Sequence, residues 1–368
     1  MHVAGRLALG HLDRMTDSTG LLQHAIYSVP RRESGYTTDD NARALRLSAR
    51  LWEQQPGERM LGRVTTYLSF LEHARCPVRG FHNFLSYQRD WLDAAGTGDS
   101  QGQAVRALAE VLGGSLPDGY RALARELIDV VTPALADLRS LRAQAYVILA
   151  WGHLSMSGVK DLARFESVAR AAAERLLECY RRSQRPDWPW FESRMTYANA
   201  VLPHALFIAA RCWPEVDFLD VAGASFAFLD RETTVEGLFW PVGNSDWYPR
   251  GEEKSPYDQQ PVEAVTMADA ALAGFALMGE GKYLDAFRRA HAWFHGRNSL
   301  RQSLVDARCG ACCDGLQPAG VNRNQGAEST LAYLWAELNS KDTSTCVENR
   351  KPPSSTRSCS SVTATTPS

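Results

Sequence analysis

Helical segments of two kinds alternate along this chain, and no other feature of the sequence constrains the fold as strongly. Segment 160–182 carries charged residues on one face, which is typical of a helix with a solvent-exposed side. Segments 139–156 and 261–279 are apolar nearly all round. Because a helix that is apolar on every side must be buried on every side, every second helix is predicted to lie inside the protein.

Twelve helices are predicted from segments rich in Ala, Leu, Arg and Glu that lie between loops of Gly, Pro, Asn and Asp. Their predicted ranges are 3–15, 39–54, 57–75, 99–112, 118–135, 139–156, 160–182, 196–212, 215–231, 261–279, 282–296 and 325–339. The predicted inner helices are 39–54, 99–112, 139–156, 196–212, 261–279 and 325–339. Six buried helices wrapped by six amphipathic ones predict an all-α fold, an (α/α)6 barrel. An open superhelix of helical hairpins is the alternative.

The C-terminal segment differs in composition from the rest of the chain. Residues 341–368 contain 13 Ser or Thr among 28 residues and no large apolar residue except two valines. Such a segment buries too little apolar surface to offset the entropy of ordering it. We therefore predict one barrel domain at 1–340 and a disordered tail at 341–368.

Composition excludes several classes of function. The net charge of -2 gives no basic excess for nucleic acid, and no apolar run approaches the roughly 20 residues of a membrane span. The eight cysteines have no regular spacing and the N-terminus lacks a signal-peptide pattern, so a cytoplasmic protein with reduced thiols is expected. A neutral, polar ligand suits this balance best.

Metal-binding motifs are weak in this sequence. Cys309, Cys312 and Cys313 have metal-like spacing, but no second Cys/His pair lies at zinc-finger distance. His291 and His295, four residues apart on an outer helix, are expected to face solvent. No glycine-rich phosphate loop is present either. We therefore predict neither a metal nor a cofactor.

Polar clusters stand where the predicted inner helices begin. The six clusters lie at 37–43, 99–103, 140–142, 197–199, 257–263 and 322–328. In a closed ring the inner helices run in the same direction, so their N-termini gather at one end. Helix dipoles and free N–H groups there favour carboxylates. Six distant segments are thus predicted to form one pocket.

N-capping explains part of this pattern without any function. Thr38, Ser100 and Ser140 are expected to be N-caps. A cap needs only one such residue, however, and the runs 39–41 and 258–263 contain several. The surplus favours a ligand-binding site.

Carboxylates in this pocket point to glycoside cleavage, which needs one protonated and one ionised carboxyl group. The candidate catalytic residues are Asp39, Asp40, Glu192, Asp258 and Glu263. The predicted pair takes one acid from Asp40 or Glu192 and one from Asp258 or Glu263.

Amides, arginines and aromatic rings offer the hydrogen bonds and flat faces that sugars need. The predicted substrate-binding residues are His24, Asn41, Arg43, His82, Asn83, Tyr87, Asp99, Gln101, Arg142, Trp190, Asn199, Trp240, Asp246, Trp247, Gln259, Gln260, Asn324, Gln325 and Glu328.

Three strings carry a resemblance to a known family: Gly35 to Leu45, Asp258 to Ala264, and Asn324 to Thr330. They resemble a bacterial domain of the six-hairpin glycosidase-like superfamily that is often fused to, or encoded beside, glycosyltransferases. The resemblance runs from about Leu12 to Glu337. It implies an (α/α)6 barrel, an oligosaccharide or glycoside substrate and a glycosyltransferase as a partner. No catalytic role is carried over from the family.

Three functions follow from these observations. The first is a glycoside hydrolase with a carboxylate pair. The second is a sugar epimerase, whose chemistry prefers two histidines as proton carriers, here His24 and His82. The third is a non-catalytic glycan-binding module that serves a glycosyltransferase.

Overall fold

The computed structural model describes residues 7–76 and 79–349. Within these residues the α-helices are α1 (Gly10–Met15), α2 (Thr38–Gln54), α3 (Glu58–His73), α4 (Gly98–Gly113), α5 (Asp118–Leu135), α6 (Leu141–Met156), α7 (Ala163–Ser183), α8 (Val201–Cys212), α9 (Phe218–Glu232), α10 (Pro261–Met278), α11 (Gly281–Phe294) and α12 (Ala327–Asn349). A short 3-10 helix spans Arg32–Ser34. The twelve predicted helices are confirmed; the first and the eighth are shorter than predicted, and the last is longer.

The even-numbered helices form a closed inner ring. Each of α2, α4, α6, α8 and α10 packs against the next, and α12 packs against α2 to complete the circle. Five outer helices pair with the inner helix that precedes them, as in α2 with α3 and α10 with α11. The sixth hairpin joins the two ends of the described chain, because α1 packs against α12. The predicted closure is confirmed, and the open superhelix is excluded.

Burial follows the predicted alternation. Inner helix α6 is buried almost continuously from Arg142 to Leu154, whereas outer helix α7 buries only one stripe. By length and composition alone α10 resembles a membrane-spanning helix. Its continuous burial from Pro261 to Ala268 instead reflects its place between α8 and α12.

Asp269 is the charged side chain in the otherwise apolar stretch of α10 from Ala268 to Met278, and it has polar partners inside the barrel. Its carboxylate accepts hydrogen bonds from the indole Nε1 of Trp335 at 2.9 Å and from Asn339 at 2.7 Å. Arg106 and Arg46 lie 3.4 and 3.8 Å from its other oxygen. A buried charge with these partners avoids most of the desolvation penalty of an isolated one.

Short antiparallel strand pairs lie in the connections between helices. The strands are β1 (Ala25–Ile26), β2 (Val29–Pro30), β3 (Tyr36–Thr37), β4 (Arg75–Cys76), β5 (Gly80–Phe81), β6 (Phe84–Leu85), β7 (Arg194–Met195), β8 (Thr234–Val235), β9 (Leu238–Phe239), β10 (Tyr248–Pro249), β11 (Val305–Asp306), β12 (Ala311–Cys312), β13 (Gly315–Gln317) and β14 (Gly320–Asn322). They pair as β1–β2, β3–β6, β4–β5, β7–β10, β8–β9, β11–β12 and β13–β14. β3–β6 and β7–β10 tie together loops from different hairpins.

The predicted domain boundary at residue 340 needs correction. Helix α12 continues to Asn349, beyond the predicted start of the tail. Asp342 explains part of this extension, since it accepts hydrogen bonds from Arg50 at 2.9 Å and Gln54 at 3.0 Å on α2. The remainder of the predicted tail, 350–368, lies outside the described residues.

Candidate active site

A polar cavity of about 660 Å³ opens at one end of the barrel, where the inner helices begin. All six inner helices contribute to its wall from their first turn or the residues just before it. Examples are Asp40 of α2, Asp99 of α4, Ser140 before α6 and Glu328 of α12. The predicted convergence of six distant segments on one pocket is confirmed.

The predicted site residues divide into two groups by position. Those that line the cavity are His24, Asp39, Asp40, Arg43, Asn83, Asp99, Asp258, Gln260 and Glu328. Those that do not are Asn41, His82, Tyr87, Gln101, Arg142, Trp190, Glu192, Asn199, Trp240, Asp246, Trp247, Gln259, Glu263, Asn324 and Gln325. The cavity thus retains three of the five candidate acids.

Arg43 organises the acidic wall of the cavity. Its Nη1 lies 3.1 Å from an oxygen of Asp40 and 3.3 Å from one of Asp39. Its Nη2 lies 2.9 Å from Glu328 on the neighbouring inner helix. Asp39, Asp40 and Arg43 come from the first turns of α2, so one guanidinium holds three carboxylates from two helices.

Asp39 and Asp40 differ in the exposure and in the hydrogen-bond partners of their carboxyl groups. Asp40 is 6% exposed and accepts a hydrogen bond from the Thr37 hydroxyl at 2.9 Å. Asp39 is 24% exposed, and its Oδ1 accepts no hydrogen bond although Arg43 lies close to it. Asp39 is therefore the more accessible acid of the two.

The electrostatic environment favours the protonated form of Asp39. Burial raises the pKa of Asp39 to about 7; Arg43 opposes this rise and the carboxylate of Asp40 adds to it. Burial also raises the pKa of Asp40, again against the effect of Arg43. A carboxylic acid with a pKa near neutrality is suited to general acid catalysis.

Asp99 is held firmly on the adjacent wall. The Tyr197 hydroxyl donates to one of its oxygens at 2.6 Å, and the Ser140 hydroxyl donates to the other at 2.9 Å. These two bonds fix the carboxylate, and each oxygen can accept a further hydrogen bond from a ligand.

Asp258 lies in the loop before α10. The backbone around it is fixed by neighbouring loops, because Asn244 N–H donates to Asp258 O at 2.9 Å and Gln259 pairs with Leu316. Gly315 makes this pairing possible: its φ is +153°, and a Cβ there would lie 2.3 Å from the Gln259 carbonyl oxygen. Within residues 7–76 and 79–349 the Asp258 carboxylate takes part in no hydrogen bond or ion pair. It is therefore open to a ligand.

Several lining residues are absent from the predicted set. Asp314 is the most notable, because burial raises its pKa while the Gly326 N–H donates to its Oδ1 at 2.8 Å. Tyr197 and Asn244 belong to strings in which a neighbouring residue was chosen instead. The position of Asp314, directly after Cys312 and Cys313, carries no sequence signal for a carbohydrate site.

The predicted catalytic acids Glu192 and Glu263 do not lie at the cavity. Both oxygens of Glu263 point to the start of α8, where the Ala198 N–H and the Asn199 side chain donate to them. Glu192 forms an ion pair with Arg142 at 2.8 Å. These two acids therefore stabilise the packing around them. Of the acids considered for the predicted catalytic pair, only Asp40 and Asp258 line the cavity.

The predicted amide ligands away from the cavity satisfy backbone groups instead. Asn41 bonds to both N–H and C=O of Leu21, and Gln101 does the same for Phe81. Gln259 accepts from Trp293 and donates to Ser299. Asn324 accepts from the Tyr27 N–H at 3.0 Å, and Gln325 lines a separate surface cavity.

The predicted aromatic platforms also lie elsewhere. Trp190 is fully buried, and Trp240 donates its Nε1 hydrogen to Pro256 O. The His82 ring stacks on Trp91 with centroids 5.0 Å apart. The other three predicted residues in the aromatic loops are placed outside the wall as well: Tyr87 against Tyr36, Trp247 against Tyr197, and Asp246 at the surface. Phe84 and Tyr197 are the aromatic residues in the described wall.

The expected N-caps are partly corrected. Ser140 caps α6, as predicted, by accepting from the Ala143 N–H. The N-cap of α2 is Thr37 rather than Thr38, whose hydroxyl donates to His82 O. Ser100 lies inside the first turn of α4, and its hydroxyl donates to Thr97 O at 2.8 Å.

The buried carboxyl of Glu263 makes the free energy of unfolding depend on pH. Burial raises its pKa to about 7 from an ordinary value of 4.5, although hydrogen bonds from Ala198 and Asn199 oppose the rise. The folded state therefore holds this proton more tightly than the unfolded state. The contribution to stability is full below about pH 4.5 and is lost as the pH rises through about 7. At about 1.4 kcal/mol per pKa unit, the loss is about 3 kcal/mol.

Glu263→Gln should therefore flatten this decline, even if it lowers stability overall by disturbing the hydrogen bonds at Ala198 and Asn199. Urea unfolding of both proteins between pH 4.5 and 7 measures the difference. His204, whose pKa burial lowers to about 3, gives stability that rises with pH, but it does so in both proteins and cancels in the comparison. Equal pH slopes for wild type and variant would contradict the assignment.

Several solved structures are similar to this one over most of its length. A sugar epimerase from a ruminal bacterium matches with a TM-score of 0.69 at 11% identity, covering 89% of this chain and 94% of that one. The cellobiose 2-epimerase of Spirochaeta thermophila matches with a TM-score of 0.65 at 13% identity, covering 89% and 92%. The chain has the six-hairpin (α/α)6 barrel fold. The GH76 α-mannanase of Bacteroides thetaiotaomicron has this fold too, with a TM-score of 0.58 at 8% identity over 85% and 88%.

The fold implied by the sequence resemblance to six-hairpin barrels is thus confirmed. No family model and no curated protein matches the chain. At identities this low the likeness concerns the six-hairpin barrel itself, and the chemistry has to be argued from the cavity.

Proposed function

We propose that this chain is a carbohydrate-active enzyme that hydrolyses a glycosidic bond in a neutral sugar. The observation that carries the proposal is the carboxyl group of Asp39, which is accessible from the cavity and has a pKa raised to about 7. Such a group is protonated often enough near neutral pH to donate a proton to a leaving glycosidic oxygen. In this proposal Asp39 is the general acid.

Asp258 is the proposed partner, acting on a water molecule or on the anomeric carbon. It lies just before α10. In the inner ring, α12 stands between α10 and α2, the helix that carries Asp39. Its carboxylate has no partner among the described residues, so it is available to substrate. Asp40 is assigned a positioning role, because its side chain is only 6% exposed and bonds to both Thr37 and Arg43. Glu328 is assigned one because it holds the other nitrogen, Nη2, of Arg43.

The charge of the cavity supports a neutral ligand. Its described wall carries six carboxylates: Asp39, Asp40, Asp99, Asp258, Asp314 and Glu328. Arg43 and His24 are the basic side chains in the same wall. This excess of acid disfavours uronates and sugar phosphates through like-charge repulsion, whereas carboxylates accept hydrogen bonds from hydroxyls without penalty.

Sugar epimerisation is a second candidate, which the comparisons support equally. The solved epimerases match with TM-scores of 0.65 and 0.69, above the 0.58 of the mannanase. His24 lines the cavity, and a pair of proton carriers formed by His24 and Asp39 replaces the predicted pair of His24 and His82. Epimerisation prefers two histidines as proton carriers, and His24 is the single histidine in the described wall. Hydrolysis therefore remains the first proposal.

Product analysis distinguishes these reactions. Purified protein is incubated with a panel of neutral oligosaccharides in D2O, and the products are followed by NMR and chromatography. Hydrolysis creates a new reducing end without deuterium on carbon. Epimerisation leaves the linkage intact and exchanges a C–H for deuterium, which would replace the first proposal by the second. Binding without turnover of any substrate would support the non-catalytic module and overturn both.

The activity should fall as the pH rises through about 7. As a general acid Asp39 has to be protonated, and its raised pKa of about 7 places the alkaline limb of kcat/KM there. The pH profile of kcat/KM on the best substrate measures this limb. A profile that is flat from pH 5 to pH 9 would rule Asp39 out as the proton donor.

A further inference from the structure

Two histidines and a glutamate meet on the outside of the barrel, away from the cavity. His291 lies in the last turn of α11 and His295, four residues on, is the C-cap of this helix, so both side chains lie on the same side of it. Glu337 faces them from α12, with its Oε1 2.9 Å from His291 Nε2 and 2.8 Å from His295 Nε2. The expectation that both histidines face solvent holds for His295, which is 38% exposed, but not for His291, which is 21% exposed.

The geometry of this cluster matches that of a metal site. One ligand atom from each of the three residues lies within 4.8 Å of the other two. Two imidazole nitrogens and a carboxylate oxygen are a donor set for Zn²⁺, Co²⁺, Ni²⁺ or Cu²⁺ rather than for Mg²⁺ or Ca²⁺. A four-coordinate ion held by three protein ligands keeps one position for water.

The carboxylate of Glu337 lies between the two imidazoles, and its side chain is 18% exposed. Both hydrogen bonds end on the same oxygen. A metal ion between the three atoms would take the place of these shared protons.

We propose that His291, His295 and Glu337 form a binding site for a divalent transition-metal ion, with Zn²⁺ as the reference ion. None of the three lines the cavity, so the site is independent of the proposed sugar chemistry. Its ligands come from α11 and α12, and an ion there cross-links the last outer helix to the helix that closes the ring. We expect the ion to stabilise the packing of these two helices.

Metal titration of the tag-free full chain tests the proposal. Zn²⁺ is titrated by calorimetry, and Co²⁺ by visible absorption, since cobalt reports the ligand type. The wild type should bind one equivalent with micromolar or tighter affinity, without the sulfur-to-cobalt charge-transfer band that cysteine ligands give. Zn²⁺ should also raise the melting temperature. His291→Asn and Glu337→Gln should each weaken binding by at least about 10-fold and abolish the thermal shift, the size of loss typical when a metal site is disturbed.

Matched variants keep the result interpretable. His73→Asn removes an exposed histidine from another outer helix, α3, and should bind zinc like the wild type. Glu337→Gln retains an oxygen that accepts from both imidazoles, so it reports on metal binding even if His291→Asn is less stable. Wild-type stoichiometry well below one, or equal affinity in wild type and Glu337→Gln, would overturn the site.

Discussion

Replacing Asp39 with asparagine should lower kcat on a glycoside substrate by about two to four orders of magnitude, the range that general acid catalysis supplies. Asparagine keeps the size of the side chain but has no proton to donate to the leaving oxygen. The free energy of unfolding should change by less than about 1 kcal/mol, because Asp39 is partly exposed and its Oδ1 accepts no hydrogen bond. Steady-state kinetics with urea unfolding of the same preparations measures both effects.

Two further variants sharpen this experiment. Asp246→Asn changes an exposed acid outside the cavity and should leave kcat unchanged. Asp40→Asn should cost less than Asp39→Asn, because Asp40 acts through Thr37 and Arg43. A larger loss for Asp40→Asn would exchange the two roles, and full activity in both variants would remove the acid from α2 altogether.

Trp190→Ala should lower the free energy of unfolding by about 3–5 kcal/mol, the typical cost of truncating a large buried aromatic side chain. Trp190 is fully buried and packs edge-on against Phe191, with ring centroids 5.3 Å apart. Alanine would leave a cavity that its neighbours can fill only partly. Urea unfolding at constant pH measures the loss.

Trp240→Ala is the matched control for this prediction. Trp240 is only partly buried, and its Nε1 bonds to Pro256 O at 3.2 Å, so its truncation should cost clearly less. If Trp190→Ala instead kept its stability and lost sugar binding, the sequence-based prediction of Trp190 as a stacking platform would return.

The sequence was informative about everything that depends on helical periodicity. The apolar surface of segments such as 139–156 required burial on all sides, and the polar starts of the inner helices required a common end once the ring closed. Asp39, Asp40, Asp99, Asp258 and Glu328 were found in this way. The physical basis is strong because burial of whole helices involves many residues at once.

The direction of a side chain within the first turn of a helix could not be predicted from helical periodicity. Asp258 and Glu263 lie five residues apart at the same helix start, yet the first faces the cavity and the second turns to Ala198 and Asn199. Which way a carboxylate points depends on unpaired N–H groups of the neighbouring helix. Those groups have no signature in the local sequence, and the same holds for Asp314, which meets the N–H of Gly326.

The predictions for the aromatic residues were wrong for a related reason. Trp190 and Trp240 each stand next to a proline in a long loop, a pattern that fits a pocket rim as well as a packed connection. Only the tertiary structure shows that the loops fold back on the outer helices. Trp188, for instance, packs edge-on against Phe228 of α9 at 5.2 Å.

The hairpin formed by α1 and α12 has a consequence for biosynthesis. Because these helices come from opposite ends of the described chain, the circle of inner helices cannot be completed until residues 327–349 have left the ribosome. Until then α2 and α10 each expose an apolar flank that α12 later covers. Glu328 is delivered to the acidic wall by that same last helix, so a nascent chain lacks a finished cavity until α12 has left the ribosome.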